Sequence, residues 1–432
     1  MALAPVSTPT PTPPLSAAAR RVGSSAIRDL LAVAERPDVV SLAGGMPAPE
    51  TFPVDAVREA TEALLDRDGA AALQYSATEG YEPLRAWVAG RQGVDVAAGA
   101  AVERVTITAG SQQGLDLVAR VLVDPGDVVV MADPGYIGAI QAFRLAGARL
   151  VGIPSDRDGL DVDDLAAQLA GGLRPRAAYV VANLSNPTGA TLPDERRDRL
   201  AALADRYGFW LVEDDPYGDL RWSGAVPRPL AERSDRVVTL GTVSKVLCPG
   251  LRVGHVVAPP EVTRGIVQVK QAADLHTSTF AQRLVHELVT RPGFLDDRLA
   301  TLPAFYRERA EALTAALRHH LGPAVDFADP EGGMFVWARL TSPTADTTAL
   351  LPEALAAGVA FVPGNAFSVT HPHPAHLRLS YATAPPATIT EAVRRLASAL
   401  AEAEAQPTTG QPSRPSAART PAESDVQKMT PS

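Results

Sequence analysis

Cysteine is all but missing from this chain of 432 residues, and Cys248 is the one thiol it carries. A single thiol excludes an intramolecular disulfide, so no cross-linked scaffold holds the fold together. Lysine is nearly as scarce: of the 40 basic side chains only Lys245, Lys270 and Lys428 are amines. Arginine keeps its proton in proteins and forms no Schiff base, so chemistry that needs a neutral amine has few places to reside. Asparagine is confined to Asn183, Asn186 and Asn365, and with the shortage of lysine this reads as the background of a GC-rich genome. No apolar run approaches the roughly 18 residues of a membrane span. The opening MALAPVSTPTPTPPL has neither the basic start nor the apolar core of a secretion signal. A cytoplasmic location without a membrane partner is expected.

Positive charge is also in deficit, since 49 acidic residues outweigh the basic ones and leave a formal net charge of −9. Such a chain repels nucleic acid and anionic membrane surfaces, which points to small-molecule partners. With 46% hydrophobic and 21% charged residues, the composition is that of a globular protein with a sizeable core. Two stretches depart from it. Residues 1–14 and 404–432 are rich in Pro, Thr, Ser and Gln and bury too little to offset chain entropy, so both read as disordered tails.

Between the tails the pattern changes once. From about residue 100 to 275, short β-rich runs such as VERVTITAG, DVVVMADP, RAAYVVANLSNP and FWLVEDDP alternate with helical stretches. Alternation of this kind implies right-handed crossovers and a mostly parallel sheet covered on both faces. The large domain is expected over 56–275. Residues 276–403, with longer helices and strand-like GGMFVWARL and HLRLSYAT, read as a smaller α+β domain. Residues 15–55 form an N-terminal arm expected to pack with it.

Five fragments carry candidate chemistry. Lys245 in TLGTVSKVLCPGLRVG follows an apolar strand, where loops of open α/β sheets meet ligands, and Thr242, Ser244 and Arg252 surround it with anion-binding groups. The rival amines are poorer, because Lys428 lies in the tail and Lys270 reads as a helix-face residue. In TAGSQQGLDL a Gly-bounded turn between strand and helix aims backbone N–H groups at an anion, with Ser111 and Gln112 adding side-chain donors. In LVEDDPYGDL a strand runs into Glu213, Asp214, Asp215 and Tyr217, and clustered carboxylates repel unless a cation or a cationic ring faces one of them. NLSNPTG presents the Asn186 amide beside a proline turn. HLRLSYAT sets Arg378 among apolar neighbours, where a planar guanidinium suits a carboxylate. HPHPAH, by contrast, lacks the helical His spacing of a metal site, and no metal is expected.

An amine, a phosphate cradle, a carboxylate, an amide and an arginine together suit pyridoxal phosphate, whose aldehyde, phosphate and ring nitrogen need such partners. Between about Arg21 and Ala403 the chain resembles the fold-type I, class I/II aminotransferases, and within them the 2-aminoadipate and kynurenine/aminoadipate subgroup. The likeness rests on SLAGGMPAPETFP, LQYSATEGYEPLRAWV, TAGSQQGLDL, NPTG, VEDDPY, SKVLCPGLRVG, GGMFVW and LRLSYAT. It implies an α/β fold whose large domain holds a mostly parallel seven-stranded sheet. It also implies pyridoxal 5'-phosphate as cofactor, with Lys245 condensed to its aldehyde and Asp214 paired with its ring nitrogen. Tyr217 and Asn186 would bond the ring oxygen, and Tyr136 would stack on the ring. Ser111, Gln112, Thr242, Ser244 and Arg252 would hold the phosphate. Arg378, helped by Asn186 and Gly45, would take the substrate carboxylate.

By the same resemblance Tyr75 reaches the neighbouring subunit's cofactor, which makes the protein a homodimer with shared active sites. Arg21, on an N-terminal helix, would meet the substrate side chain. The implied reaction moves the amino group of an L-amino acid (2-aminoadipate, a branched-chain or an aromatic residue) to 2-oxoglutarate in two ping-pong halves. The sequence departs from the usual pattern at Ser185, Thr242 and Gly135, which touches the side-chain pocket more than the cofactor site. A lyase, decarboxylase or C–C bond-forming enzyme could use the same scaffold, since the cofactor supports all of these. A non-catalytic sensor of transcription regulators is the remaining alternative, disfavoured by the acidic charge and by the resemblance beginning near Arg21.

Overall fold

The computed structural model describes residues 15–21, 38–93 and 101–405. The expectations for the two tails beyond these bounds, for Lys428 and for the arm between residues 22 and 37 lie outside the described residues.

Among the described residues, after β1 (Val40–Ser41), eight strands build the main sheet. They are β2 (Val105–Thr108), β3 (Val128–Asp133), β4 (Arg149–Asp156), β5 (Gly159–Leu160), β6 (Ala177–Val180), β7 (Trp210–Asp214), β8 (Val237–Thr242) and β9 (Gly254–Val257). Their order is β2-β9-β8-β7-β6-β3-β4-β5. The count exceeds the expected seven by one, because the chain after β4 folds straight back and adds the two-residue β5 at the edge.

Pairings β4–β3, β3–β6, β6–β7 and β7–β8 are parallel. β9 is antiparallel to both β8 and β2. The reason is in the connections: a parallel neighbour needs a long crossover, whereas β8 joins β9 through a loop whose one helical turn is Pro249–Leu251. β2, β3, β6, β7 and β8 therefore all point one way, and their C-terminal ends share one edge. That edge collects the chemistry.

Side chains alternate across each strand, and the two faces have separate cores. Helices Ser111–Leu122, Ile137–Ala146 and Pro260–Ala273 cover Met131, Tyr179, Val212 and Leu240 on one face. Helices Val162–Ala170 and Asp194–Tyr207 cover Val130, Val180 and Leu211 on the other. Each buried Leu or Val contributes roughly 1.5–3 kcal/mol, so a one-residue slip of β7, which would exchange its faces, is strongly disfavoured.

The C-terminal part builds a second, antiparallel sheet from β10 (Val325–Phe327), β11 (Phe335–Leu340), β13 (Val362–Pro363) and β14 (His376–Ser380), in the order β10-β11-β14-β13. A short β12 (Val359–Ala360) pairs in parallel with β1, and Ser380 N–H donates to the Leu42 carbonyl at 2.7 Å. The segment carrying Ala43 and Gly45 is thereby laid beside β14 and its Arg378.

A clasp joins the two sheets. Asp133, at the end of β3, accepts hydrogen bonds from the backbone N–H groups of Val369, Thr370 and His371, and contacts the rings of His371 and His373. Burial opposes its ionisation, but these partners prevail and hold it at about 2. Two histidines of the HPHPAH run thus serve a carboxylate.

Candidate active site

At the C-terminal edge of the main sheet a cavity of about 390 Å³ opens between the ends of β2, β7 and β8 and the β14 arginine. Strand alternation settles which of the three carboxylates after FWLV faces it. Glu213 points to the face of helix Asp194–Tyr207, where it meets the fully buried Arg197 at 3.2 Å. Asp215 is past the strand end, accepting from Asn183 Nδ2 at 2.7 Å and from the Gly218 N–H at 2.9 Å. Asp214 points to the opposite face and lines the cavity.

The Asp214 carboxylate is nearly sealed from solvent, and its Oδ2 accepts the Tyr179 hydroxyl at 2.8 Å. Its Oδ1 is buried with no hydrogen-bond partner among the described residues. Burial raises this carboxyl to about 7, against the lowering effect of the Tyr179 bond. A buried acceptor left without a donor costs free energy that a cationic N–H donor would recover. The site therefore has the form of a receptor for a protonated ring nitrogen.

Opposite it, in the β8–β9 loop, the Lys245 ammonium donates to the Gly45 carbonyl at 2.9 Å and stands 5.9 Å from the centre of the Tyr217 ring. Burial, reinforced by the guanidinium groups of Arg378 and Arg252, lowers it to about 8. An amine near 8 is partly neutral at physiological pH and can act as nucleophile or base. Tyr217 is itself raised by burial, and Tyr136 is pushed up to about 12 for the same reason.

The far wall of the cavity is an anion cradle. Gly110, at φ +78°, turns the chain from β2 into helix Ser111–Leu122, and a Cβ there would stand 2.4 Å from Arg252 Nη2. Only glycine lets the guanidinium lie against the turn. Arg252 Nη2 donates to the Ala109 carbonyl at 3.1 Å, while Thr242 Oγ1 and Ser244 Oγ are 2.8 Å apart. The helix N-terminus, Ser111, Gln112, Ser244 and Arg252 all line the same wall, a combination suited to a phosphate. Gln112 Oε1 also accepts the Tyr136 hydroxyl at 3.2 Å.

Arg378 closes the cavity from β14. Its Nη1 donates to Asn186 Oδ1 at 2.8 Å and its Nη2 to the Ala43 carbonyl at 2.6 Å. The guanidinium stands 4.3 Å over the Phe335 ring, and its buried Nε has no partner among the described residues. Burial lowers it to about 10, so it remains charged at neutral pH.

Residues 37–396 match the family model of aminotransferase class I and II. The chain belongs to this family. The aminotransferase is 44% identical over 387 residues to the 2-aminoadipate transaminase of Thermus thermophilus, an alignment covering 88% of this chain and 95% of the relative. It is 41% identical over 389 residues to aromatic-amino-acid aminotransferase 1 of Thermococcus litoralis, covering 88% and 92%. Among solved structures, the α-aminoadipate aminotransferase of Thermus thermophilus, complexed with N-(5'-phosphopyridoxyl)-L-leucine, matches with a TM-score of 0.84 at 43% identity. That match covers 90% of this chain and 98% of the other. This aminotransferase is a fold-type I enzyme and uses pyridoxal 5'-phosphate, which the unpartnered Asp214 Oδ1, the glycine-lined cradle and the lowered Lys245 amine fit.

Twelve of the residues singled out in the sequence line this one cavity: Gly45, Ser111, Gln112, Tyr136, Asn186, Asp214, Tyr217, Thr242, Ser244, Lys245, Arg252 and Arg378. Two do not. Tyr75 is 78% exposed at the surface of the chain, edge-on to His276. Arg21 ends the short helix Ala17–Arg21, which lies at the far end of helix Ile137–Ala146, and a Cβ on Gly147 would be 2.9 Å from its Nη1. Arg21 therefore does not line the cavity of its own chain.

Tyr179 is the functional neighbour that the sequence reading missed. It lies in RAAYVVANLSNP on β6, 35 residues before Asp214, and the signal was its place on the same face of an adjacent strand. Ile137, Gln141 and Val181 also line the cavity unannounced.

Proposed function

We propose that this aminotransferase moves the α-amino group of an L-amino acid, drawn from the 2-aminoadipate, branched-chain and aromatic classes, to 2-oxoglutarate in two ping-pong halves. The observation that carries this reading is the meeting of Lys245, the half-satisfied Asp214 and Arg378 in one cavity. When bound, the cofactor supplies an aldehyde that takes up the amino group and a ring that withdraws electrons from the α-carbon.

The residues divide the remaining work. Asp214, ionised against a cation, keeps the ring nitrogen protonated, and Tyr179 holds that carboxylate in place. Tyr217 and Asn186 would hold the ring oxygen, and Tyr136 would pack against the ring. Ser111, Gln112, Thr242, Ser244 and Arg252 would hold the phosphate. Arg378 binds the substrate α-carboxylate through its fork, already oriented by Asn186 and the Ala43 carbonyl. Lys245 anchors the cofactor in the resting enzyme and, once released, carries the proton from the α-carbon, for which a value of about 8 suits it.

The relatives named for 2-aminoadipate and for aromatic amino acids support a donor class that spans both. Tyr75, with Leu73 beside it at 75% exposure, is an aromatic and apolar surface that a second copy of the chain would cover, so we place Tyr75 at the neighbouring subunit's cofactor in a homodimer. The test is spectroscopic. A donor should change the absorbance of the bound cofactor and release its 2-oxo acid, and 2-oxoglutarate should restore the starting spectrum. A screen of aminoadipate, glutamate, leucine, kynurenine and phenylalanine ranks the donors. Release of carbon dioxide or ammonia in place of an oxo acid would refute transamination, and a monomer by light scattering would refute the dimer.

A further inference from the structure

Lys270 does not line the cavity, yet it is entirely buried, which is rare for a lysine. It sits in helix Pro260–Ala273, and its ammonium donates to Gln113 Oε1 at 3.1 Å and to Thr277 Oγ1 at 3.1 Å. Asp274 Oδ1 and Oδ2 stand 2.9 and 2.8 Å away and balance the charge. Burial lowers this amine, and Asp274 opposes the shift.

The two neutral partners lead to the same place. Gln113 Oε1 also accepts the Ala109 N–H at 2.7 Å, and Gln113 Nε2 donates to Asp274 Oδ2 at 2.6 Å. Thr277 Oγ1 donates in turn to the Ile107 carbonyl at 3.2 Å. Ile107 and Ala109 bracket the end of β2 and enter the Gly110 turn, the turn that aims the helix N-terminus, Ser111 and Gln112 into the cavity. Arg252 holds the other side of the turn through the Ala109 carbonyl. The peptide groups on either side of the Ala109 Cα are thus both held, one by its N–H and the next by its C=O.

We propose that Lys270 is a positioning residue for cofactor binding: acting through Gln113 and Thr277, its ammonium fixes the 109–111 turn in the geometry that receives the phosphate. This rests on the reading that the turn holds the cofactor's phosphate, and it adds a residue outside the cavity to that site. A buried cation with all three protons engaged is costly to create and gives the turn a single arrangement, so the donors facing the anion need no reorganisation on binding. A lysine serving the fold alone would influence stability without distinguishing one end of the cofactor from the other.

Pyridoxal 5'-phosphate and phosphate-free pyridoxal separate the two roles. Binding of each to the full-length protein is measured by equilibrium dialysis and by the absorbance of the bound aldehyde, for wild type, Lys270→Met, Gln113→Leu and the double variant. Lys270→Met should weaken pyridoxal phosphate roughly ten- to a hundred-fold, as expected for a lost hydrogen bond to a charged group, and leave pyridoxal affinity unchanged. Gln113→Leu keeps the ammonium and Asp274 but cuts the link to Ala109, so it should show the same selective loss even where Lys270→Met fails to fold. The double variant should lose little more than either single one, because both break one path. Equal weakening of both compounds, or unchanged phosphate preference in Gln113→Leu, overturns the role of Lys270. A wild-type protein that binds the two compounds equally would instead overturn the phosphate cradle itself, and the proposal with it.

Discussion

Replacing Lys245 with methionine is expected to stabilise the cofactor-free protein at neutral pH while abolishing transamination. The amine is partly buried and faces Arg378 and Arg252, and these causes bring it from 10.5 to about 8. That difference of about 2.5, at about 1.36 kcal/mol for each pH unit, means that holding the charged amine in the folded state costs about 3 kcal/mol below pH 8. The folded-state value lies under the unfolded one, so between about 8 and 10.5 the unfolded chain binds the extra proton and wild-type stability rises with pH. Methionine has no proton to bind. Its advantage is therefore full below about pH 8, shrinks through the window and is gone near 10.5. Losing the bond to the Gly45 carbonyl subtracts about 1 kcal/mol at every pH, which leaves a net gain of about 2 kcal/mol near neutrality. Urea unfolding of both cofactor-free proteins across this pH range measures the difference. A difference independent of pH, or a methionine variant less stable at neutral pH, would refute the electrostatic account of the site.

Other substitutions probe the remaining walls. Asp214→Asn removes the charge proposed to face the ring nitrogen; a pair about 4 Å apart at an effective dielectric of about 20 is worth about 4 kcal/mol, so kcat should fall about a thousand-fold. A loss under about ten-fold in steady-state kinetics would contradict that role. Arg378→Lys keeps the charge but not the fork, and kcat/KM for amino donors should fall roughly ten- to a hundred-fold with the larger change in KM; an unchanged KM would remove Arg378 from carboxylate binding. Arg197→Leu strands Glu213, whose carboxyl burial already raises to about 7, and denaturant unfolding should show a loss of about 3–5 kcal/mol. A neutral result there would mean that Glu213 is protonated and needs no counter-charge.

The features legible along the chain were those with short-range causes. The TAGSQQG turn announces itself because a glycine before a helix start is a local backbone requirement, and it is found at φ +78° against Arg252. The alternation of strands and helices conveyed the parallel sheet, because a parallel neighbour needs a crossover. The extra strand β5 escaped notice since two residues carry no periodicity. Lys270 read as a helix-face residue because helical spacing shows a face without showing what covers it, and its partners come from Gln113 and Thr277 in other elements.

The acidic run after FWLV marks the division most clearly. Its composition pointed to a cation beside one carboxylate without saying which, and the structure shows Glu213 and Asp214 on opposite faces of β7. Which face carries the cavity followed from strand order, since β6 beside β7 brings Tyr179 to Asp214 while helix Asp194–Tyr207 brings Arg197 to Glu213. The same holds for Arg378 and Lys245, 133 positions apart, which only packing brings into one cavity. Local backbone preferences act over a few residues and are written in the order of side chains. The environment that sets a pKa or completes a binding site is assembled by burial and neighbours distant in the chain, and it exists only once the sheets have packed.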